Sequence, residues 1–186
     1  MTVLDHFILS QLERGLETPY DLMRRAGVSL GASVPALRRL SAAGFVKKRR
    51  ETSESSRPRH VYKLTADGMK QARTGWKQYL EGKSNLVDLD EILRVCDMAG
   101  HYNHDRASVA AFLDRAARDR SVLAQQTQIG IDMESAVSLD YMSIRAKCEI
   151  GRLTSDEAVL SQLASAVKKD SVRRQRATET KRKPDR

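Results

Sequence analysis

Residues 30–68 read LGASVPALRRLSAAGFVKKRRETSESSRPRHVYKLTADG, and the change of period within them decides the fold. The first part is helical. Leu37 and Leu40 take core positions, Gly44 ends the helix, and Ser29 stands where a cap belongs. Pro35 sits late for a start at Ser29, because a proline inside a helix removes a backbone donor. The helix is therefore expected to begin nearer Ala32 or to have a distorted first turn. Phe45-Val46 then opens an extended run through Arg50. Residues 51–57, ETSESSR, are polar turn material, expected to form a long, mobile tip. Residues 58–64, PRHVYKL, are a second strand, with His60, Tyr62 and Leu64 on one face and Val61 and Lys63 on the other.

Outward from this stretch the chain is helical. Residues 4–14 carry Leu4, Phe7, Ile8, Leu9 and Leu12 on a helical face, and Gly15 follows as a stop. Thr18-Pro19 starts a short helix with Tyr20, Leu22 and Met23 that ends at Ala26-Gly27. On the other side Thr65 caps a helix with Asp67 in its first turn. That helix carries Met69, Ala72, Trp76, Tyr79 and Leu80 on one stripe and stops near Gly82. Three helices, a hairpin and a helix within about 80 residues are the layout of a winged helix-turn-helix domain.

Two stretches resemble the PadR family. Residues 30–46, LGASVPALRRLSAAGFV, are similar to its recognition-helix segment ending PAL(K/R)RLxxxGLV. Residues 57–68, RPRHVYKLTADG, are similar to its wing strand RPRxYYxLTxxG, and Tyr20-Asp21-Leu22 is similar to its GYEI segment. The resemblance covers roughly residues 4–82. Ser33 and Val34 stand where the family usually has Leu-Tyr; Ser33 lies on the core side and Val34 offers no hydroxyl.

The helical phase around Leu37 selects the residues expected to touch DNA. With Leu37 inward, Pro35 and Arg39 point away from the core, and Gly31, Ala32, Arg38 and Ala42 flank them. Small residues at 31 and 32 let the helix N-terminus approach phosphate, and Arg38 and Arg39 reach guanine edges or phosphates. The wing carries Lys47, Lys48, Arg49, Arg50, Arg57, Arg59 and His60. Alternation sends neighbours to opposite faces, so Arg57 and Arg59, near the tip and two apart, are favoured, with His60 beside them. Tyr20 and Arg24 are secondary candidates for backbone contact. The stripe Met69, Trp76, Tyr79 and Leu80 has two readings: packing within its own domain, or, as the resemblance implies, a dimer contact with Trp76 beside an aromatic ligand.

Charge is divided along the chain. Residues 1–87 hold 16 basic against 8 acidic residues, residues 88–167 hold 8 against 13, and residues 168–186 hold 9 against 3. A basic front looks for a polyanion, which agrees with a DNA-binding domain. Residues 88–167 read as helical. Leu89, Ile92, Leu93 and Cys96 form one stripe ending at Gly100. Asp105 or Ser108 begins a helix with Val109, Phe112, Leu113, Ala116 and Ala117, which Ile129-Gly130-Ile131 is expected to break or bend. A further helix carries Ala136, Val137, Leu139, Ile144 and Ile150 and ends at Gly151. Thr154-Ser155-Asp156-Glu157 then signals the start of a last helix with Val159, Leu160, Leu163 and Val167. Residues 168–186 are poor in large apolar residues and are expected to be a disordered basic tail.

Several functions are set aside. No run of eighteen apolar residues spans a membrane, and the N-terminus lacks a signal-peptide pattern. Cys96 and Cys148 form no CxxC pair. Cys96, His101, His104 and Asp105 lie within ten residues, but a closed zinc site takes four ligands and no second pair is near, so no metal is assigned. No P-loop, GxSxG or HExxH is present, so no enzyme and no cofactor is expected.

The fold class is thus mainly α with a small β-hairpin wing. Residues 1–82 are the winged helix-turn-helix domain, 83–167 a helical dimerisation or effector domain, and 168–186 the tail. The expected function is a cytoplasmic, nucleoid-associated regulator, a repressor, that binds a palindromic operator in double-stranded DNA as a homodimer and responds to a small-molecule effector. The alternative is a winged-helix adaptor that binds protein without reading DNA.

Overall fold

A computed structural model of the chain describes residues 1–53, 56–82, 88–134 and 141–181, with side chains for all of these except 52–53, 56–58, 130–134, 141–143 and 174–181. Two compact units form, Met1–Asn103 and His104–Arg186.

The first unit is built around helix α1, Val3–Glu13. A capping box starts it: Thr2 Oγ1 accepts from the Asp5 N–H, and the Thr2 N–H donates to Asp5 at 2.9 Å. Residues on every side of α1 are buried, from Val3 and Phe7 to Ser10 and Gln11, as expected of a helix enclosed by others. Its neighbours are α2 (Pro19–Ala26), α3 (Leu30–Ala42), α4 (Ala66–Thr74) and α6 (Leu89–His101). A second capping box, Thr18 with Asp21, and Pro19 in the first turn start α2.

The strands β1 (Val46–Ser53) and β2 (Ser56–Leu64) form an antiparallel hairpin, with Val46 opposite Leu64, Lys48 opposite Tyr62 and Glu51 opposite Arg59. The pairing runs beyond the expected strand ends at Arg50 and Pro58, so much of the stretch expected as turn belongs to the ladder. Of the expected mobile tip, residues 51–57, positions 54–55 lie outside the described residues. Val61 and Tyr62 are both buried although they point to opposite faces. The Tyr62 N–H donates to the Glu17 carbonyl at 2.8 Å, so β2 is held on both edges.

The turn from α3 into the hairpin and the start of α4 lock together. Thr65 Oγ1 donates to the Gly44 carbonyl at 2.8 Å and accepts from the Gly68 N–H at 3.0 Å, while the Thr65 N–H bonds the Phe45 carbonyl. A Cβ on Gly68 would lie 2.0 Å from the Phe45 oxygen. This close approach is the physical content of the Leu-Thr-x-x-Gly wording.

Helix α4 does not continue to Gly82 as expected. It ends at Thr74, and a separate single turn, α5 (Lys77–Leu80), follows. At Gly75 a Cβ would lie 2.3 Å from His6 Nε2, so a glycine lets the chain turn close against α1.

The first unit also extends past the boundary expected after residue 82, because α6 packs on α1. Asp97 of α6 binds Arg14 at 2.7 Å and Gln11 at 3.2 Å, and the Tyr102 hydroxyl donates to Glu13 at 2.6 Å. The buried face of α6 is Ile92, Val95, Met98 and Ala99, not the expected stripe through Leu93 and Cys96. Leu93 is exposed and Cys96 half-buried. Val95 and Met98 move the apolar centre away from the stripe drawn through Leu93.

The second unit is a pair of long helices, α7 (Arg106–Glu134) and α8 (Tyr141–Lys181). Ion pairs Arg106–Asp170, Asp114–Lys168 and Arg120–Asp156 run in opposite chain order, so the helices are antiparallel. Val109, Phe112, Leu113, Ala116 and Ala117 are buried as expected and meet Leu153, Leu160 and Ala164 of the partner helix.

Several expectations here are corrected. Helix α7 passes through Ile129-Gly130-Ile131 without ending. Helix α8 passes through both Gly151 and the Thr154 box, where Thr154 Oγ1 donates to the Ile150 carbonyl instead of capping, and Asp156 turns inward to Arg120. Val159, expected in the core, is exposed. The tail expected to be disordered is helical to Lys181; there α8 continues beyond its packed part. Ala136, Val137, Leu139 and residues 182–186 lie outside the described residues. Among those described, no helix is long and apolar enough to cross a membrane.

Candidate nucleic-acid interface

Helix α3 begins at Leu30, earlier than Ala32, because Ser29 caps it. Ser29 Oγ accepts from the Ala32 N–H at 3.2 Å, and its carbonyl takes the N–H groups of Ala32 and Ser33. The shared carbonyl tightens the first turn, and Pro35 lies inside the helix. The buried residues Ser33, Ala36, Leu37 and Leu40 fix the inward direction. It lies roughly 50° from Leu37 alone, toward Ala36 and Leu40. The outward centre then consists of Gly31, Pro35, Arg38 and Ala42, all exposed. Three of these are small or compact, and Arg38 is the single long arm. Ala32 and Arg39 fall together on one flank.

Arg39 has an internal partner. Its Nη2 donates to Asp5 Oδ1 at 2.8 Å, with the Arg39 side chain 55% exposed and that of Asp5 6%. Burial would raise the Asp5 carboxyl, but bonds from Thr2 and Arg39 outweigh it and hold the group below the usual carboxylate range. Arg38 has no carboxylate partner among the described residues.

The wing divides in the same way. Arg59 faces its cross-strand neighbour Glu51 at 3.4 Å, and Lys63 is paired with Glu17. Lys47, Lys48, Arg49 and Arg50 are exposed and carry no such partner among the described residues. His60 is exposed opposite Arg50. Arg57 lies on β2, and its side chain is not among those described. Among the described residues, the structure therefore brings Arg38 and the β1 cations forward as charges without a carboxylate partner, while Arg39 and Arg59 each hold one. The β1 run was visible in the sequence, but the register that sets Glu51 against Arg59 was not. Tyr20 and Arg24 are exposed on α2, with the guanidinium 5.9 Å from the ring centre.

The stripe after the wing lies mainly within its own unit. Trp76 is fully buried and stacks on Tyr102, with ring centres 6.0 Å apart. Tyr79 and Leu80 are buried and Met69 half-buried. The Tyr79 hydroxyl sits 3.2 Å from His6 Nδ1, which also meets the Thr2 carbonyl at 3.1 Å. Burial depresses the His6 pKa below its ordinary value and so keeps the ring neutral. An open groove of about 370 Å³ lies elsewhere in the unit, lined by Phe7, Arg14, Arg25, Leu93, Arg94 and Asp97 among others. Burial pushes the Cys96 thiol up to about 12. Among the described residues no cluster of three or more His, Cys, Asp or Glu could hold a metal ion.

The structure of Bacillus subtilis PadR in complex with operator DNA is 17% identical, covering 89% of this chain and 99% of that one, with a TM-score of 0.36. A Streptococcus mutans UA159 protein is 16% identical with the same coverages and a TM-score of 0.33. No curated protein matches the chain. The sequence profile of the Transcriptional regulator PadR-like family matches residues 8–74, which contain α2, α3, the hairpin and most of α1 and all of α4. Over residues 8–74 the chain is similar to the PadR-like family of transcriptional regulators.

Proposed function

We propose that the protein is a repressor that binds a palindromic operator in double-stranded DNA as a homodimer, with residues 32–42 of α3 in the major groove. The observation that carries this is the outward face of α3, compact except for Arg38, beside the unpaired cations Lys47 to Arg50 of β1. A compact face lets a helix enter a groove, and the flanking cations neutralise phosphates. If five phosphates are neutralised per protomer, the dimer's affinity should fall with a log–log salt slope of about −9.

Unit 2 supports the dimer. Val122, Leu123 and Ile129 on α7 and Ile144, Val159 and Val172 on α8 are exposed although large and apolar. A second copy covering them would set two recognition helices on two half-sites. Val122→Glu with Ile129→Glu should convert the dimer to monomer by sedimentation, leaving helicity unchanged. A small-molecule effector would have the open groove along α1, the end of α2 and α6 to enter. Such a protein acts on the nucleoid.

The test is selection of genomic fragments by the purified protein, in parallel with an Arg38→Ala/Arg39→Ala variant. Enrichment of a few palindromic sites by the wild type alone upholds the reading. Transcription from a promoter holding such a site should fall on adding the protein. If neither protein enriches any fragment, the winged helix is an adaptor, and partners of residues 88–167 become the object.

A further inference from the structure

We infer that Asp5 is a positioning residue for DNA reading: it holds Arg39 in one orientation so that the guanidinium presents its remaining N–H edge to a guanine. The inference rests on the proposal that α3 lies in the major groove.

Each oxygen of Asp5 has a separate task. Oδ2 accepts from the Thr2 N–H at 2.9 Å and so belongs to the capping box of α1. Oδ1 accepts from Arg39 Nη2 at 2.8 Å. The first bond fixes the carboxylate to the start of a helix that is buried on all sides. The second transfers that fixity to α3, 34 residues later in the chain. The carboxylate is almost wholly buried, yet more than half of the arginine is exposed. A guanidinium has five N–H donors in a rigid plane, and this contact uses one of its nitrogens. The other donors remain for a further acceptor on a side chain that is more than half exposed on the flank of α3, one residue from Arg38.

Orientation matters for one kind of acceptor more than another. A phosphate attracts a cation through charge, which changes little with rotamer. Guanine O6 and N7 demand two parallel N–H bonds in one plane. A carboxylate also lowers the net charge facing DNA. An arginine tied to one is poorly placed for bulk phosphate attraction and well placed for a geometry-dependent contact.

This makes the sign of one substitution diagnostic. Asp5→Asn keeps an acceptor oxygen for the cap and removes one negative charge. Charge alone makes the variant bind every duplex more tightly. Positioning makes it bind the preferred duplex more weakly relative to the rest. The experiment first selects the preferred duplex from a randomised library with the wild-type protein. It then measures affinity for that duplex and for a scrambled one, for wild type, Asp5→Asn, Arg39→Ala and the double variant. Helicity and unfolding temperature are followed in each.

The ratio of preferred to scrambled affinity should fall about five- to tenfold in Asp5→Asn. Affinity for the scrambled duplex should stay level or rise. In the Arg39→Ala background Asp5→Asn should change the ratio no further. Reselection with Asp5→Asn should relax the preference at one G·C pair per half-site. A wild-type ratio well above one that Asp5→Asn leaves intact overturns the positioning role and leaves the DNA-binding reading standing. An equal change at both duplexes assigns the ion pair to structure or to phosphate and overturns it too. A wild-type ratio of one overturns both readings together.

Discussion

Around α1 the described residues bury five polar side chains, Asp5, His6, Ser10, Gln11 and Ser33, and the first four have partners. The described seam between α7 and α8 buries two, Arg120 and Asp156, and these face each other at 3.8 Å. The first unit thus fixes the places of several elements around one helix by directional bonds, and its apolar residues are largely enclosed. The second unit needs only one alignment, the register of two long helices, and leaves large apolar residues exposed. Directional bonds set geometry where a reading surface must be held, whereas a sliding seam needs a marker of register. The two units should therefore respond to damage differently.

The largest effect is expected at Gly68. Alanine there would place a methyl 2.0 Å from the Phe45 carbonyl, in backbone that the Thr65 bonds already fix. We expect a loss of about 3 kcal/mol or more in the first unit, which lowers its unfolding temperature by about 12–20 °C. Unchanged melting would show that α4 can shift away from the wing.

Arg120→Ala tests the second unit. The substitution removes the only basic group buried in the described seam and leaves Asp156 with Arg152, which it meets at 3.0 Å. A loss of about 2–3 kcal/mol is expected. Replacing both Arg120 and Asp156 by Met and Leu should recover most of it, while allowing the helices more than one register. Spin-label distances between α7 and α8 would show that spread. A single sharp distance in the double variant would mean that apolar packing alone sets the register.

The pH response separates the units further. His6 is buried with its folded pKa below the ordinary 6.5, chiefly through burial. The unfolded chain therefore binds a proton that the folded chain refuses. Stability is full above pH 6.5 and declines as pH falls from there toward the folded value, by at most about 1.4 kcal/mol per pH unit. Asp5 and Glu13 act in the same direction at lower pH, since their folded pKa values are depressed. His6→Gln should flatten the decline between pH 7 and pH 5 in chemical denaturation of the first unit. An undiminished slope in that variant would assign the decline to other groups.

Local capping and strand periodicity made the winged-helix order legible, since Thr18 and Thr65 cap where their side chains suggest, while Ser29 caps α3 although Pro35 pointed to a later start. What could not be read was tertiary. Nothing local in Leu89–His101 shows that it packs on α1, and its true buried face appears only when Val95 and Met98 meet that neighbour. The Thr154 box misled for a related reason: in a helix already propagated by packing, a threonine bonds back to the carbonyl four residues earlier. At the interface, Arg38 and Arg39 look alike as neighbours in sequence. Asp5, far off in the chain, separates them.

The smallest effects lie in the wing. Arg59 and Glu51 face each other across the hairpin at 3.4 Å and are both well exposed, so Glu51→Gln should change stability by no more than about 0.5 kcal/mol. Its effect on DNA should nevertheless have a definite sign. Glu51 cancels a wing cation that could otherwise meet phosphate, so its neutralisation should tighten binding about two- to fivefold at low salt. The log–log salt slope of the dimer should steepen by about two, because one more counterion is released at each protomer. Arg50→Ala should do the reverse, since Arg50 has no carboxylate partner among the described residues. Equal losses in both variants would mean that the Glu51–Arg59 pair shapes the wing rather than subtracting from its charge. The division between tied and untied cations would then end at α3.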